Sequence, residues 1–571
     1  MAETVPKRTA LSHPNPIWFC PKTGIYTSKH SPIPLTQNPL QDLVTFLFSK
    51  PHKGEKALID SLSGLYFSYS DIRSKVEALV SGLHHVGILK GQVVLILLPN
   101  SIFFPIILLS VLSLGAIITT MNPLSSPQEI KKLTAGLNIG LVFAQLEKVG
   151  TLDSLGVPVV SVPSDLNYDS LKFTFFDKMI SCKQQITFRP VIQQSDTAAI
   201  LFTSGTSGFS KAVILTHGNF IAMVELFVRF EASQYEKESW KDVYLATIPM
   251  FHVYGMSLFV FGLLSLGSTI VVMKRFDAQE AIRAMDRYGV THLPLVPPIM
   301  AALIKTKDAT GCVLRSLKQV SCGAAPLSQK LIKEFLCRFE HVDLIQGYGM
   351  TESTAVGTRG FNNKNCKKYT SSGLLAPNME AKVVDQEDGI FLPPGKMGEL
   401  WLRGPAIMKG NLAFNFSFLH KSFYITAGYL NDEKGTASII DRNGWLKTGD
   451  IGYFDQDGYL FIVDRLKDVI KYKGFQVAPA DLEAVLTSNT EIVDAAVTSD
   501  LDEEAGEIPV AFVVKRHDSN ISSAEIIQFV AKKVAPYKKV RRVVFVQSIP
   551  RTPAGKIMRR ELRNRYCASK L

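Results

Sequence analysis

Two long apolar stretches stand out in the hydropathy pattern: VVLILLPNSIFFPIILLSVLSLGAIITTM over 93–121 and MSLFVFGLLSLGSTIVVM over 256–273. Each approaches the length of a membrane-spanning helix. Pro99, Asn100 and Pro105 interrupt the first, however, and Gly267-Ser268 divides the second. Both therefore read as one buried strand and one buried helix of a parallel-sheet protein, and no transmembrane segment is expected. Further short β-branched runs at 198–203, 243–249, 268–273 and 292–296 alternate with helical segments, the pattern of α/β layering. After Gly398 the texture changes to short strands and turns, with Asp457-Gly458 placed to turn a hairpin. From about Lys467 a compact segment follows, with helices expected near 480–486 and 523–534. The expected fold class is α/β: a large N-terminal domain (1–466) of layered α/β subdomains plus a β-subdomain, joined near 464–467 to a small α+β domain (467–571).

Composition narrows this only slightly. A chain of 571 residues exceeds what one core usually supports. A formal charge of +12 suits polyanionic small molecules as well as nucleic acid. No arginine-rich tract or DNA-reading module is visible, so nucleic acid is the weaker partner. The seven cysteines include no C-x-x-C pair and read as reduced thiols of an intracellular protein. Eleven histidines contain no H-E-x-x-H, so no zinc site is indicated. Ser569-Lys570-Leu571 matches the peroxisomal address, which predicts a peroxisomal location and an import receptor as partner.

The segment LFTSGTSGFSKAVILTH (201–217) concentrates glycine and hydroxyl residues ahead of a lysine. Short side chains leave backbone amides and hydroxyls free to surround a polyanion, which the lysine neutralises. It is not the P-loop of nucleotide triphosphatases, because counting from Gly205 puts Ser210 where the second glycine belongs.

With PMFHVYG (249–255), CGAAPLS (322–328), QGYGMTES (346–353), GWLKTGDIGYFD (444–455), VDRLKDVIKYKGFQVAPADLE (463–483) and PRTPAGKIMRREL (550–562), the chain resembles the adenylate-forming acyl-activating superfamily. Within it, the wording is most similar to plant 4-coumarate:CoA ligases and their peroxisomal 4-coumarate:CoA ligase-like relatives. The resemblance implies a mobile C-terminal lid and a two-step reaction. A carboxylic acid attacks the α-phosphate of ATP with Mg²⁺ assistance, and coenzyme A then cleaves the acyl-adenylate. Both steps need charge stabilisation rather than a protein nucleophile.

By resemblance, Thr203, Ser204, Gly205, Thr206, Ser207 and Lys211 wrap the β- and γ-phosphates. Gly323, Ala324 and Ala325, with Gln346, Gly347, Tyr348 and Gly349, line the adenine pocket. Thr351 and Glu352 sit by the α-phosphate, with Glu352 the ligand for Mg²⁺. Asp450 accepts from the ribose hydroxyls and Arg465 donates to the same sugar, although Asp450 taken alone also suits a surface turn. Lys556 reaches the α-phosphate and attacking carboxylate, and Lys467 marks the hinge. After lid rotation Lys471, Lys473, Gly474 and Gln476 face coenzyme A, with Arg275 near one of its phosphates. His252 gates the channel to the thiol. Val253, Tyr254, Ser257, Ser321, Gly347, Ala355 and Val356 shape the acyl pocket.

Ser257, Ser321 and Thr354-Ala355 depart from the asparagine, lysine and Gly-Pro typical of hydroxycinnamate-specific relatives, which weakens the case for a 4-hydroxyl on the substrate. A cinnamate- or 4-coumarate-like acid is expected, with a fatty or oxylipin acid as the alternative; a luciferase-like oxidase and a noncatalytic binding protein are minor ones. Ser210 and Ala212 also replace the usual proline and glycine of the phosphate loop.

One interruption breaks the pattern. Removing 411–428 turns MKG…YLND into the uninterrupted MKGYLND. The codons for Gly410-Asn411 can contain GTAA and those for Ala427-Gly428 CAG, which suggests retained intron sequence. Seven large apolar residues between Phe414 and Ile425 suit a surface loop poorly. The expected segment is poorly packed and remote from the ATP site.

Overall fold

The computed structural model describes residues 18–568, apart from 165, 185, 187–188, 204–210, 235–237, 311, 363–366, 410–427, 473–474, 503–504, 535 and 553–554. Among the described residues the strands assemble into four sheets of seven, nine, six and five strands. The seven-stranded sheet centres on Val93–Leu97, whose five residues are all buried. Its neighbours Ile117–Thr120 and Ile139–Ala144 run parallel to it. This explains why the first apolar stretch has no polar alternation: helices cover both faces of such a strand. Helix Phe103–Ser113 follows directly, apolar on nearly every face because it too is buried all round.

The second stretch folds as expected in outline. A π-helical segment, Met256–Gly262, and a 3₁₀ turn, Leu264–Leu266, end at Gly267 with φ 78°. Strand Thr269–Val272 then enters the nine-stranded sheet, parallel to Val243–Ala246. No helix of the described residues is long and apolar enough to cross a membrane. The remaining sequence-predicted strands form within one to three residues of their expected ends. Asp457-Gly458 turns the antiparallel pair Leu446–Phe454 and Leu460–Arg465 of the six-stranded sheet.

Beyond the 3₁₀ turn Leu466–Asp468, the strands belong to the separate five-stranded sheet, which has its own core around Ile470, Leu482, Val497 and Val513. Helices Pro479–Thr487 and Ser523–Ala531 pack there; the second ends three residues before its expected limit. The final stretch returns to the larger domain. A β-carbon on Gly555, at φ 80°, would lie 2.7 Å from Pro298 Cδ. The loop carrying Lys556 therefore rests against the start of helix Pro297–Thr310, and glycine lets it approach that closely.

Candidate active site

Strands Thr197–Thr203 and Lys211–Thr216 form an antiparallel hairpin in which Thr203 lies directly opposite Lys211. The pairing places these two residues at the mouth of the glycine- and hydroxyl-rich turn. Ser204, Gly205, Thr206 and Ser207 lie outside the described residues. Lys211 is ion-paired with Asp432, a residue the sequence reading passed over. Asp432 also caps helix Glu433–Ile439 through Gly435 N at 2.8 Å. The lysine holds the Asp432 carboxyl below the usual carboxylate range.

Glu352 is buried at 5% exposure and accepts a 2.9 Å hydrogen bond from Tyr429 Oη. Burial raises its pKa. Among the described residues no cluster of three or more His, Cys, Asp or Glu could cage a metal ion. One buried carboxylate beside the glycine-flanked hairpin is nevertheless the donor set that Mg²⁺ uses when nucleotide phosphates supply its other ligands.

Asp450 is 4% exposed, so the surface-turn alternative fails. It faces Arg465 across the ladder, with Nε to Oδ1 at 3.1 Å. Tyr348 Oη donates to its other oxygen at 2.6 Å. A carboxylate held from two sides has a fixed orientation, which bidentate recognition of a vicinal diol requires. The neighbouring loop is tied down by Gln346, whose Oε1 accepts from Leu327 N at 3.1 Å and whose amide donates to Tyr369 O at 2.7 Å. The Gln346 side chain thus positions the loop that carries Gly323 and Ala325. Ala324 (φ 67°), Thr354 (φ 52°) and Ala355 (φ 64°) adopt left-handed backbone there, which costs about 1–3 kcal/mol apiece and clusters at functional loops. Thr351 opens the short 3₁₀ turn Thr351–Ser353 and is buried.

The electrostatic field of Arg465, Asp450 and Lys467 reaches Lys556. Burial and the Arg465 charge push its ammonium down to about 7, from an ordinary 10.5. His252 is exposed, and desolvation by the surrounding protein lowers its imidazole pKa. Val253, Ser257, Ser321 and Val356 are buried. Tyr254 and Ala355 are half-buried. Arg275 is exposed and Lys467 lies in the 3₁₀ turn between the sheets. Lys471 and Gln476 pair across the ladder of Ile470–Tyr472 and Phe475–Val477. Lys473 and Gly474 fall outside the described residues.

Two further features escaped the sequence reading. Arg359 lies in a short strand opposite Gly347, deeply buried, ion-paired with Glu231 and hydrogen-bonded to it through Nη2. The only hint was a charge in the β-run that follows QGYGMTES, and its partner lies 128 positions away. The second is that the described residues flanking the interruption both reach Glu352. Met408 N donates to Glu352 O at 2.8 Å, and Tyr429 donates to the Glu352 carboxylate. Gly410 and the inserted residues up to 427 lie outside the described set, whereas Gly428, the last inserted residue, is described. Gly428 pairs with Ile214 at φ 117°, where a β-carbon would lie 2.4 Å from Thr436 Cγ2. Excising 411–428 delivers Gly410 to that position, so the residue type it demands is preserved. The shortened protein should therefore keep its ATP-induced rise in Tm. A further Gly410→Ala change in it should abolish that rise, as differential scanning fluorimetry would reveal.

Residues 49–412 match the AMP-binding enzyme family, and residues 481–556 match the AMP-binding enzyme C-terminal domain. The chain belongs to the AMP-binding enzyme family, as an adenylate-forming acid:CoA ligase. It is 55% identical over 564 residues to 4-coumarate--CoA ligase-like 6 of Arabidopsis thaliana, covering 97% of this chain and 96% of that one. It is 41% identical to Peroxisomal OPC-8:0-CoA ligase 1 of the same plant, covering 95% and 96%. In fold it is similar to ATP-bound MatB from Rhodopseudomonas palustris, with a TM-score of 0.79 at 24% identity over 92% of this chain and 98% of that one.

Proposed function

We propose that this ligase activates a cinnamate- or 4-coumarate-like acid in the peroxisome, with Lys556 as the group that drives adenylation. The observation that carries this is the position of the C-terminal loop. Gly555 abuts Pro298, which brings Lys556 into the field of Asp450 and Arg465. In this arrangement Asp450 orients the ribose, Lys211 and the loop after Thr203 hold the β- and γ-phosphates, and Lys556 meets the α-phosphate. Mg²⁺, held by Glu352 and the phosphates, would supply Lewis-acid charge neutralisation. A rotation at Lys467 would exchange Lys556 for the strand pair bearing Lys471 and Gln476, which with Lys473, Gly474 and Arg275 would face coenzyme A. His252, exposed within PMFHVYG, would gate the thiol. Residues 1–466 and 467–571 would then be the two moving bodies.

The C-terminal Ser569-Lys570-Leu571, read by an import receptor, and the peroxisomal relative support the location. That relative, an OPC-8:0-CoA ligase by name, also favours a second reading in which an oxylipin or fatty acid is the substrate. Release of AMP that depends on both acid and coenzyme A, measured with cinnamate, 4-coumarate, octanoate and an oxylipin acid, separates the two. A catalytic efficiency highest for octanoate or the oxylipin would overturn the first reading.

The depressed Lys556 ammonium has a measurable sign. Its folded pKa lies below its unfolded one, so between about 7 and 10.5 the folded chain binds fewer protons and folding gains stability as pH rises. A bound triphosphate favours the charged form. ATP binding at pH 8 should therefore take up a proton, and affinity should weaken with rising pH. Calorimetry in two buffers of different ionisation enthalpy should detect the uptake, and Lys556→Met should remove it.

A further inference from the structure

The two residues at the end of strand Asp343–Tyr348 face opposite ways, as successive strand residues do. Tyr348 points to Asp450 on the nucleotide side. Gly347 opens on the other side, where a β-carbon would lie 3.5 Å from Arg359 Cδ and 3.6 Å from Nη1. Arg359 is held there by Glu231, with Nη2 donating to Oε1 at 2.9 Å and Nε 2.8 Å from Oε2 as an ion-pair contact without hydrogen-bond geometry, and by Phe227, whose ring centre is 5.0 Å from its guanidinium. The pair is almost completely desolvated, with side chains 7% and 14% exposed.

Two hydroxyls share this region. Tyr254 and Ser257 are one helical turn apart, and both oxygens are buried without a hydrogen bond of acceptable geometry. The Tyr254 ring packs 3.0 Å from where a β-carbon on Gly323 would sit, and its hydroxyl feels Arg359 and Ser321. Burying an ion pair is expensive unless its geometry or its function requires it. Leaving two hydroxyls unpaired beside it adds to that cost.

We infer that Arg359, clamped by Glu231, is a specificity-determining residue at the closed end of the acyl pocket. With the Tyr254 and Ser257 hydroxyls it selects acids that carry a neutral hydrogen-bonding oxygen, a hydroxyl or a ketone, far from the carboxylate. The inference rests on the acid:CoA ligase activity. The Arg359–Glu231 pair is neutral overall, so it offers polarity without a net charge to attract a second carboxylate. A wholly hydrocarbon end would bury the two hydroxyls unsatisfied, whereas one oxygen on the substrate completes them. Sites of this kind reject an analogue that lacks the group much more strongly than apolar pockets reject a missing methylene.

The test compares matched acids, 4-coumarate with cinnamate and 8-hydroxyoctanoate with octanoate, by coenzyme A-dependent AMP release at saturating ATP. The wild-type kcat/KM should favour the oxygenated member of at least one pair by about 10- to 100-fold. Three variants run in parallel: Arg359→Met with Glu231→Gln, Arg359→Lys, and Tyr254→Phe. In each the ratio should fall, because the oxygenated acid loses more rate than its partner, with the double variant closest to unity. An ATP-induced rise in Tm identifies the variants that fold. A wild-type ratio near one in both pairs overturns the inference, as does a ratio that stays at the wild-type value in a folded Arg359 variant, Arg359→Lys deciding if the double variant does not fold. If the wild type releases no AMP with any acid, the ligase assignment falls first and takes this inference with it.

Discussion

Replacing Lys556 by alanine is expected to slow acyl-adenylate formation by about 10²- to 10³-fold, the usual cost of losing one preorganised charge at a developing anion. Thioester formation from supplied acyl-adenylate should survive, because in that step the lid would present its other face. The physical reason is local. Lys556 sits in a low-dielectric pocket that already depresses its ammonium, so it is poised to regain full charge against phosphate without reorganising. Rapid-quench measurement of AMP-ester formation, alongside a separate coenzyme A half-reaction, distinguishes the outcomes. Equal loss in both halves would refute the division of labour between the two lid faces.

If Asp450 orients the ribose as proposed, Asp450→Ala should lower kcat/KM for ATP by about 10²- to 10³-fold, since two charge-assisted hydrogen bonds to one sugar would disappear together. Its two protein partners sharpen the expectation. Arg465 and the Tyr348 hydroxyl lose their common acceptor, so the nucleotide-side wall loosens as well. Asp450→Asn keeps one acceptor oxygen and should fall between wild type and alanine. If 2′-deoxy-ATP and ATP are distinguished as well by the alanine variant as by wild type, the ribose role is wrong.

Some elements on contiguous sequence were legible before the structure. The burial of strand Val93–Leu97 follows from an unbroken apolar run, whereas strand Lys211–Thr216 and its register against Thr197–Thr203 were not predicted. What escaped depends on long-range pairing. Asp432 meets Lys211 across 221 positions, and Glu231 meets Arg359 across 128. No local pattern marks either acid, because a carboxylate's role here is set by which cation the fold delivers to it. Asp450 read equally well as a turn residue for the same reason, until its ladder placed it opposite Arg465. The interruption itself, up to residue 427, falls outside the described residues, while the residues that flank it, Met408 and Tyr429, both touch Glu352.

The Lys211–Asp432 pair has a consequence for how fast the site clears on the proposed reading, in which Lys211 holds the polyphosphate. The loop then has a resident counter-ion, fixed at the start of helix Glu433–Ile439. An incoming triphosphate would have to displace that carboxylate, and the carboxylate would retake the lysine as pyrophosphate left. Both ligands would bind somewhat more weakly than the loop alone would allow, and the site would open sooner for the thiol.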